Sequence, residues 1–385
     1  VTTEDPRTVS ASRGHRARVW ITGFPKLLPG IAIAALAAGI AYAVNFAVPL
    51  LSALLVAIIL GVILRNTGVI PAAAEPGFAF VGRTVLRLGV VLLGLRLSIP
   101  QVLALGWGVI GVIIVTVAAT YAVGLLLGRA MKISHATTVL TATGTAICGA
   151  AAVAAMSSVV GRGSKDNDTD EAAATAIASV TLFGTVALLA LPPLAALLSL
   201  APTETGVWVG AAVHEVGQVV AGAGIAASNV TDSAAASTLV DTAVVTKLGR
   251  VAMLAPLVAL VGALENRRAE RKREEQIAAA EVDDVVAGRP VDHTQVADKR
   301  PPIMPLFVAG FLVMVILRSV TNLPGGFLHA ADITATILLT CAMVAMGAGV
   351  RLKKLVTSGA RALGLGAILG VLAVVISLLG VFVLV

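Results

Sequence analysis

Residues 207–224 read VWVGAAVHEVGQVVAGAG, so an imidazole, a carboxylate and an amide, on His214, Glu215 and Gln218, interrupt an otherwise apolar run. Glu215 is suited to exchanging a proton or holding a cation, and His214 to donating to an anion or titrating near neutral pH. On a continuous helix His214 and Gln218, four apart, share a face, and Glu215 points about 100° away. Two further clusters stand out. ATTVLTATGTAICGAAAVAAMSSVV (136–160) carries Thr141, Thr143, Gly144, Thr145, Cys148 and Gly149, and TAVVTKLGRVAML (242–254) places Lys247 and Arg250 three apart on one helix face. Hydroxyls and glycines inside an apolar run mark an unwound helix, whose freed backbone N–H groups can hold an anion beside which two cations form a positive wall. Each cluster also has a plainer reading: a polar network tying helices together, close packing through small residues, or basic side chains snorkelling to an interface. Spacing alone leaves both readings open, as it does for Arg83, Arg87 and Arg96, of which Arg83 and Arg87 read as interface anchors.

The elements that must position these residues follow from composition. Of the 385 residues, 58% are hydrophobic and 13% charged, and the apolar ones fall in blocks without period-two alternation, which excludes a β-barrel. The expected class is an all-α, polytopic helical membrane protein with about eleven transmembrane segments, each long enough for a hydrocarbon core of roughly 30 Å. The blocks lie near 27–46, 47–64, 79–98, 101–128, 136–160, 172–198, 206–228, 238–264, 302–319, 331–350 and 362–385. The chain divides into a basic tail (1–26), eight segments (27–264), a charged linker (265–301) and three segments (302–385). Cys148 and Cys341 are too few for a disulfide framework.

Lysines and arginines in the connections assign the sides. The tail, Arg65, the Arg129 and Lys132 loop, the ENRRAERKREEQ linker and the loop with Arg351, Lys353, Lys354 and Arg361 read as cytoplasmic. The acidic GRGSKDNDTDE loop and TNLPGGFLHA read as external, giving an N-terminus inside and a C-terminus outside a bacterial inner membrane. The net charge of +7 is then mostly topology, and no nucleic-acid partner is expected. LGVVLLGLRLS (88–98) echoes MVAMGAGVRLKK (343–354) in the opposite crossing direction, a trace of inverted repeats.

RLGVVLLGLRLS, GTAICGAAAVAA, FGTVALLALPP, VHEVGQVVAGAG and VVTKLGRVAMLAP, in this order and spacing, resemble the YeiH-type family of bacterial inner-membrane proteins assigned to sulfate export. The resemblance covers about residues 27–385. It implies a secondary carrier in the superfamily of bile-acid symporters and arsenite carriers, with inverted repeats and discontinuous helices that cross near the midplane, broken at GTAICGA and HEVGQ. The charge-derived topology conflicts with this, because it sends both blocks in the same direction. Either a re-entrant hairpin lies in the Pro-rich 190–240 region, or one block is not a crossing helix.

The expected function is a secondary transporter of a small anion, sulfate or a related sulfur oxyanion, working by alternating access. Thr143, Gly144, Thr145, Cys148, Gly149, His214, Gln218, Lys247 and Arg250 would bind the substrate, and Glu215 and His214 would couple a proton or sodium. No cofactor or metal ligand set is expected, no ATP-binding phosphate loop occurs, and homo-oligomerisation is left open. Two alternatives stand: a cation/proton antiporter using Glu215, and, more remotely, an intramembrane hydrolase pairing His214 with Ser157 or Thr145.

Overall fold

The computed structural model describes residues 6–48, 53–160, 166–286, 305–351, 353 and 359–385. Within them the chain is helical throughout. In a hydrocarbon solvent each backbone N–H and C=O must be paired within its own segment, which a helix alone accomplishes. The helices are α1 (Pro6–Ala47), α2 (Ala53–Asn66), α3 (Glu75–Phe80), α4 (Leu86–Leu93), α5 (Ile99–Ala104), α6 (Gly106–Ala130), α7 (His135–Ala146), α8 (Ala150–Val160), α9 (Asp166–Leu197), α10 (Pro202–Ala212), α11 (Val216–Ala227), α12 (Ser233–Ala252), α13 (Leu254–Val286), α14 (Leu306–Val320), α15 (Gly325–Gly347) and α16 (Ala360–Leu384). A π turn, Val81–Val85, joins α3 to α4. The helix of α13 continues past residue 265 to Val286, so the first half of the charged linker prolongs a helix; residues 287–301 of the linker, and Lys354, lie outside the described residues.

The helices form two bundles. In the first, α1 to α4 pack with α14 and α15. Backbones there approach closely: a Cβ on Gly61 of α2 would lie 2.2 Å from the Val344 carbonyl oxygen, and one on Gly347 of α15 would lie 2.2 Å from that of Ile58. In the second, α6, α7, α9 to α12 and α16 pack together. There a Cβ on Gly206 or Gly210 of α10 would meet the backbone of α12 at 2.6 and 2.4 Å. Without a hydrophobic force between helices in lipid, such small-residue contacts supply much of the packing energy.

The two blocks that carry the candidate chemistry do not cross. Nine residues along a continuous helix span roughly 13 Å, yet a Cβ on Gly144 of α7 would lie 2.6 Å from Cγ2 of Val153 on α8. The chain therefore folds back. Likewise Gly222 of α11 sits 3.6 Å, from its Cβ position, to Cγ1 of Val209 on α10, although thirteen residues of helix would cover about 20 Å. Each pair is a re-entrant hairpin of two half-length helices, 12 and 11 residues for α7 and α8, 11 and 12 for α10 and α11.

The neighbouring helices show that the hairpins enter from opposite sides. Helix α6 runs antiparallel to α7, with Gly124 against Ala142 and Gly128 against Thr138. His135, at the entrance of α7, bonds Glu265 of α13 at 2.9 Å. At the exit of α8, Ser157 and Ser158 share a cavity with Arg65, Glu75 and Thr169 of α9. That is the side assigned above to the cytoplasm. Helix α9 then runs parallel to α11, with Thr181 at Glu215, Gly184 at Gln218 and Leu188 at Gly222, so α10 and α11 dip in from the opposite side.

This revises three expectations. The break at 213–215 separates His214 from Gln218, which therefore do not share a helix face. The discontinuous helices are present, but their tips meet instead of crossing. The start of α9 stands beside Arg65, so the described part of the GRGSKDNDTDE stretch lies with the basic loops; residues 161–165 fall outside the described residues. A re-entrant segment returns the chain to its own side, which is why a charge rule built on alternate crossing inverted this loop. Among the described residues, seven helices are long and apolar enough to cross a membrane, and the shorter apolar helices include α2, α14 and one arm of each hairpin, α8 and α11. The helices that carry the echoing segments, α4 with its preceding π turn and α15, pack antiparallel, with Gly89 against Leu339 and Gly82 against Met346.

With Cys148 and Cys341 replaced by Ala, a single cysteine at Glu171 is expected to react with an impermeant thiol reagent from the same side as one at Arg129. One at Ser228 reacts from the other side. Labelling of the Glu171 and Arg129 positions from opposite sides would remove the first hairpin.

Candidate functional site

The tips of the two hairpins touch. The first turns through Ile147, Cys148 and Gly149, with Ile147 at φ −117°, ψ −89° and Gly149 at φ +72°. The second turns through Val213, His214 and Glu215, with extended Val213 and Glu215. A Cβ on Gly149 would lie 2.5 Å from Cγ of Glu215. Glycine is required there both by the left-handed backbone and by that contact.

Each hairpin brings one helix C-terminus and one helix N-terminus to the middle of the protein. The C-terminal ends of α7 and α10 expose carbonyl oxygens without intrahelical donors, and α12 supplies those donors. Lys247 Nζ donates to the carbonyls of Ile147 at 2.6 Å and Val213 at 2.8 Å. Arg250 donates to Thr145 at 2.8 Å, to Ala146 at 2.7 Å and to Ala211. Both side chains are fully buried. Two cations at the negative ends of two helices are the stabilising arrangement for the helix dipole, and here they also join the hairpins to each other.

The N-terminal ends of α8 and α11 face elsewhere. Ala150 and Ala151, with Val216 and Gly217, line a cavity of about 580 Å³ in the seam between the bundles. The opposite wall carries Tyr42, Asn45, Arg96 and Thr336, and Arg96 is paired with Asp332. Glu215, 8% exposed, reaches the cavity from the α11 tip. Its carboxylate accepts from the Ala150 backbone N–H and from Thr181 Oγ1 at 3.3 Å. Gln218 fixes the tip: its Oε1 accepts the Glu215 N–H at 3.2 Å, and its Nε2 donates to Thr181 O and Thr185 Oγ1, both at 3.2 Å.

Of the residues singled out from the sequence, Arg96, Cys148 and Glu215 line this cavity, and Gly149 lies directly beneath Glu215. Thr143 donates to Val139 O within its own helix, and Gly144 packs on Val153 and Val180. Thr145 is buried with its hydroxyl unpartnered among the described residues. Lys247, Arg250 and Gln218 hold the tips together. His214 is fully buried, its ring near Gly370 of α16, and neither ring nitrogen has a partner among the described residues. The hydrogen bond to Ser157 or Thr145 that a hydrolase would use is therefore not formed. Thr181 and Thr185 were missed, although two hydroxyls four apart in the apolar run of α9 are a legible signal.

The profile of a family described as conserved hypothetical protein 698 matches residues 25–366. A UPF0324 membrane protein of Corynebacterium glutamicum is 34% identical over 336 residues, 87% of this chain and 86% of its own. The UPF0324 membrane protein TauZ of Paracoccus pantotrophus is 34% identical over 290 residues, 75% and 76% of the two chains. One of Pseudomonas aeruginosa is 33% identical over 359 residues, 89% and 90%. The YeiH-type resemblance is consistent with this family. No solved structure matches the chain.

Removing a cation from the tips leaves buried carbonyls without donors. Arg250→Leu is expected to lose about 3 kcal/mol or more, read as a lowered melting temperature in detergent from the fluorescence of buried Trp208. Gly149→Ala is expected to lower it independently. Melting unchanged in both would show that the tips are not held as described.

Proposed function

The chain belongs to the family described as conserved hypothetical protein 698, whose relatives are UPF0324 membrane proteins, and from this premise we propose that it is a secondary transporter of a small oxyanion, sulfate or a related sulfur oxyanion, acting by alternating access. One observation carries the reading: two half-helix N-termini, entering from opposite sides, converge on a cavity in the seam between two bundles. Each helix N-terminus is equivalent to roughly half a positive charge, so the pair presents about one, with backbone N–H groups suited to an oxyanion. Lys247 and Arg250 contribute by neutralising the opposite helix ends, which would otherwise repel an anion.

Glu215 occupies the same positive ends. Ionised, it satisfies them and opposes an anion; protonated, it leaves them to the substrate. Anion and proton therefore bind together, and the seam lets one bundle rock against the other around the tips. A second reading is favoured by the same carboxylate: a cation/proton antiporter in which Glu215 holds a cation in its ionised form.

Labelled sulfate counterflow in proteoliposomes decides between them. Wild type is expected to exchange sulfate faster as pH falls, as the carboxylate is neutralised. Glu215→Gln, permanently neutral, is expected to keep exchange and lose both its pH dependence and proton-driven accumulation. Absence of exchange by folded wild type with sulfate, sulfite and thiosulfate would overturn the anion reading, and sodium- or potassium-dependent proton movement would install the antiporter.

A further inference from the structure

The described lining of the central cavity holds two groups charged at neutral pH, Arg96 and Glu215, and they belong to different bundles. Arg96 ends the 3-10 turn Gly94–Arg96 that follows α4 in the first, and Glu215 caps α11 at the hairpin tips of the second. Much of the remaining wall is apolar, with Leu54, Leu93, Val220 and Leu339 in it. Pro49, Leu50, Leu51 and Ser52, which precede Ala53 of the lining and lie outside the described residues, carry no charge. Ala151 lines this cavity and also the one on the Arg65 side, in whose wall Arg83 and Arg87 stand.

Among the described residues neither charge is paired across the seam. Arg96 pairs with Asp332 of α15, whose side chain is 45% exposed, and donates to Thr336 Oγ1 of the same helix. Glu215 accepts from the Ala150 N–H and from Thr181 Oγ1. Around Glu215, α12 presents Lys247, engaged with two carbonyls, the first hairpin presents Cys148, α1 presents Tyr42, His214 precedes it in the turn, and α9 presents the hydroxyl of Thr181. A half-exposed ion pair contributes little, so the Arg96 guanidinium can exchange Asp332 for another anion. The planar fork of an arginine takes two oxygens of a carboxylate or of an oxyanion at once.

Closing the seam removes water from both groups, and a charge left against an apolar wall without a partner is costly. We propose that Arg96 is a second ligand of the transported oxyanion, and that the seam closes only around one negative group held between Arg96 and the hairpin tips. That group is the oxyanion when Glu215 is protonated, and the Glu215 carboxylate itself when the site is empty. An oxyanion has oxygens to offer both the N–H groups of α8 and α11 on one body and the guanidinium on the other. With neither negative group, positive groups of the two bodies face each other; with both, two negative charges compete for one place. The loaded carrier and the empty carrier can thus change sides, whereas a carrier holding an anion beside an ionised Glu215 cannot, and each anion is tied to one proton. The identity of the ligand rests on the oxyanion-carrier reading; the pairing of Arg96 with Glu215 does not.

The test follows closure itself. In the full chain in lipid nanodiscs, with Cys148→Ala and Cys341→Ala, spin labels are attached through His329→Cys near the start of α15 and Asn229→Cys just after α11, both exposed positions. Double electron–electron resonance between them reports the width of the mouth. Without anion, the short-distance population is expected to grow as pH rises and Glu215 ionises; at low pH it is expected only with sulfate. Glu215→Gln should lose the first closure and keep the second. Arg96→Gln should lose both and weaken sulfate binding about tenfold or more, and Arg96→Lys, which keeps the charge without the fork, should retain them in part. A width indifferent to pH and sulfate before these substitutions, or closure unchanged by Arg96→Gln, overturns the proposal, even where sulfate counterflow is found. Closure driven by pH, lost in Arg96→Gln and indifferent to sulfate, sulfite and thiosulfate, supports the Arg96–Glu215 pair while overturning the oxyanion carrier, so the two failures are distinct.

Discussion

Two cations on one helix hold together the C-terminal ends of two others. Lys247 and Arg250 of α12 donate to the carbonyls that end α7 and α10, deep in a protein whose surroundings offer no water to do so. Burying two positive charges is unfavourable unless every donor is answered, and unravelled helix ends are unfavourable unless every carbonyl is. Each problem is the solution of the other. The meeting of two hairpins at one point, and the exclusion of their negative ends from the seam, depend on this exchange.

Its consequence is polarity. Because the C-terminal ends are tied to α12, the ends that face the seam are both N-terminal, and the cavity there is lined by Ala150, Ala151, Val216 and Gly217. Small side chains at Ala150, Ala151 and Gly217 leave the backbone itself facing the cavity. Glu215, bonded to the Ala150 N–H and packed on Gly149, stands at that surface and is, on the proposed reading, the group whose charge decides whether it is available. Thr181, Thr185 and Gln218 do not contact the cavity, but they fix the tip that carries the carboxylate.

The seam holds a cavity on each side of these groups. One cavity opens beside Tyr42 and Asn45, the other beside Arg65 and Glu75, and the hairpin tips lie between them. Close backbone packing inside each bundle, as at Gly61 with Gly347 and Gly206 with α12, makes each a stiff body. The hollow seam between them has fewer such contacts to break, which suits relative motion of the two bodies.

The sequence by itself determined the solvent, the helical class, the family resemblance and the identity of the polar clusters, because ionisable side chains such as His214, Glu215, Lys247 and Arg250 are costly in an apolar run and stand out by residue type. The family resemblance implied helix breaks at GTAICGA and HEVGQ, which the residues alone left open. The direction in which the chain leaves each break is a different matter: a turn of three residues can continue a helix or reverse it, and only the packing of Val153 against Gly144 and of Gly222 against Val209 decides for reversal. From that one reversal follow the side on which α9 begins, the use of Lys247 and Arg250 on carbonyls, the displacement of the candidate anion site to the residues just after each break, and the presence of Arg83 and Arg87 in a cavity. Side chains announce what a segment must bury, whereas the fold of the neighbouring helices decides which end of each dipole faces the seam.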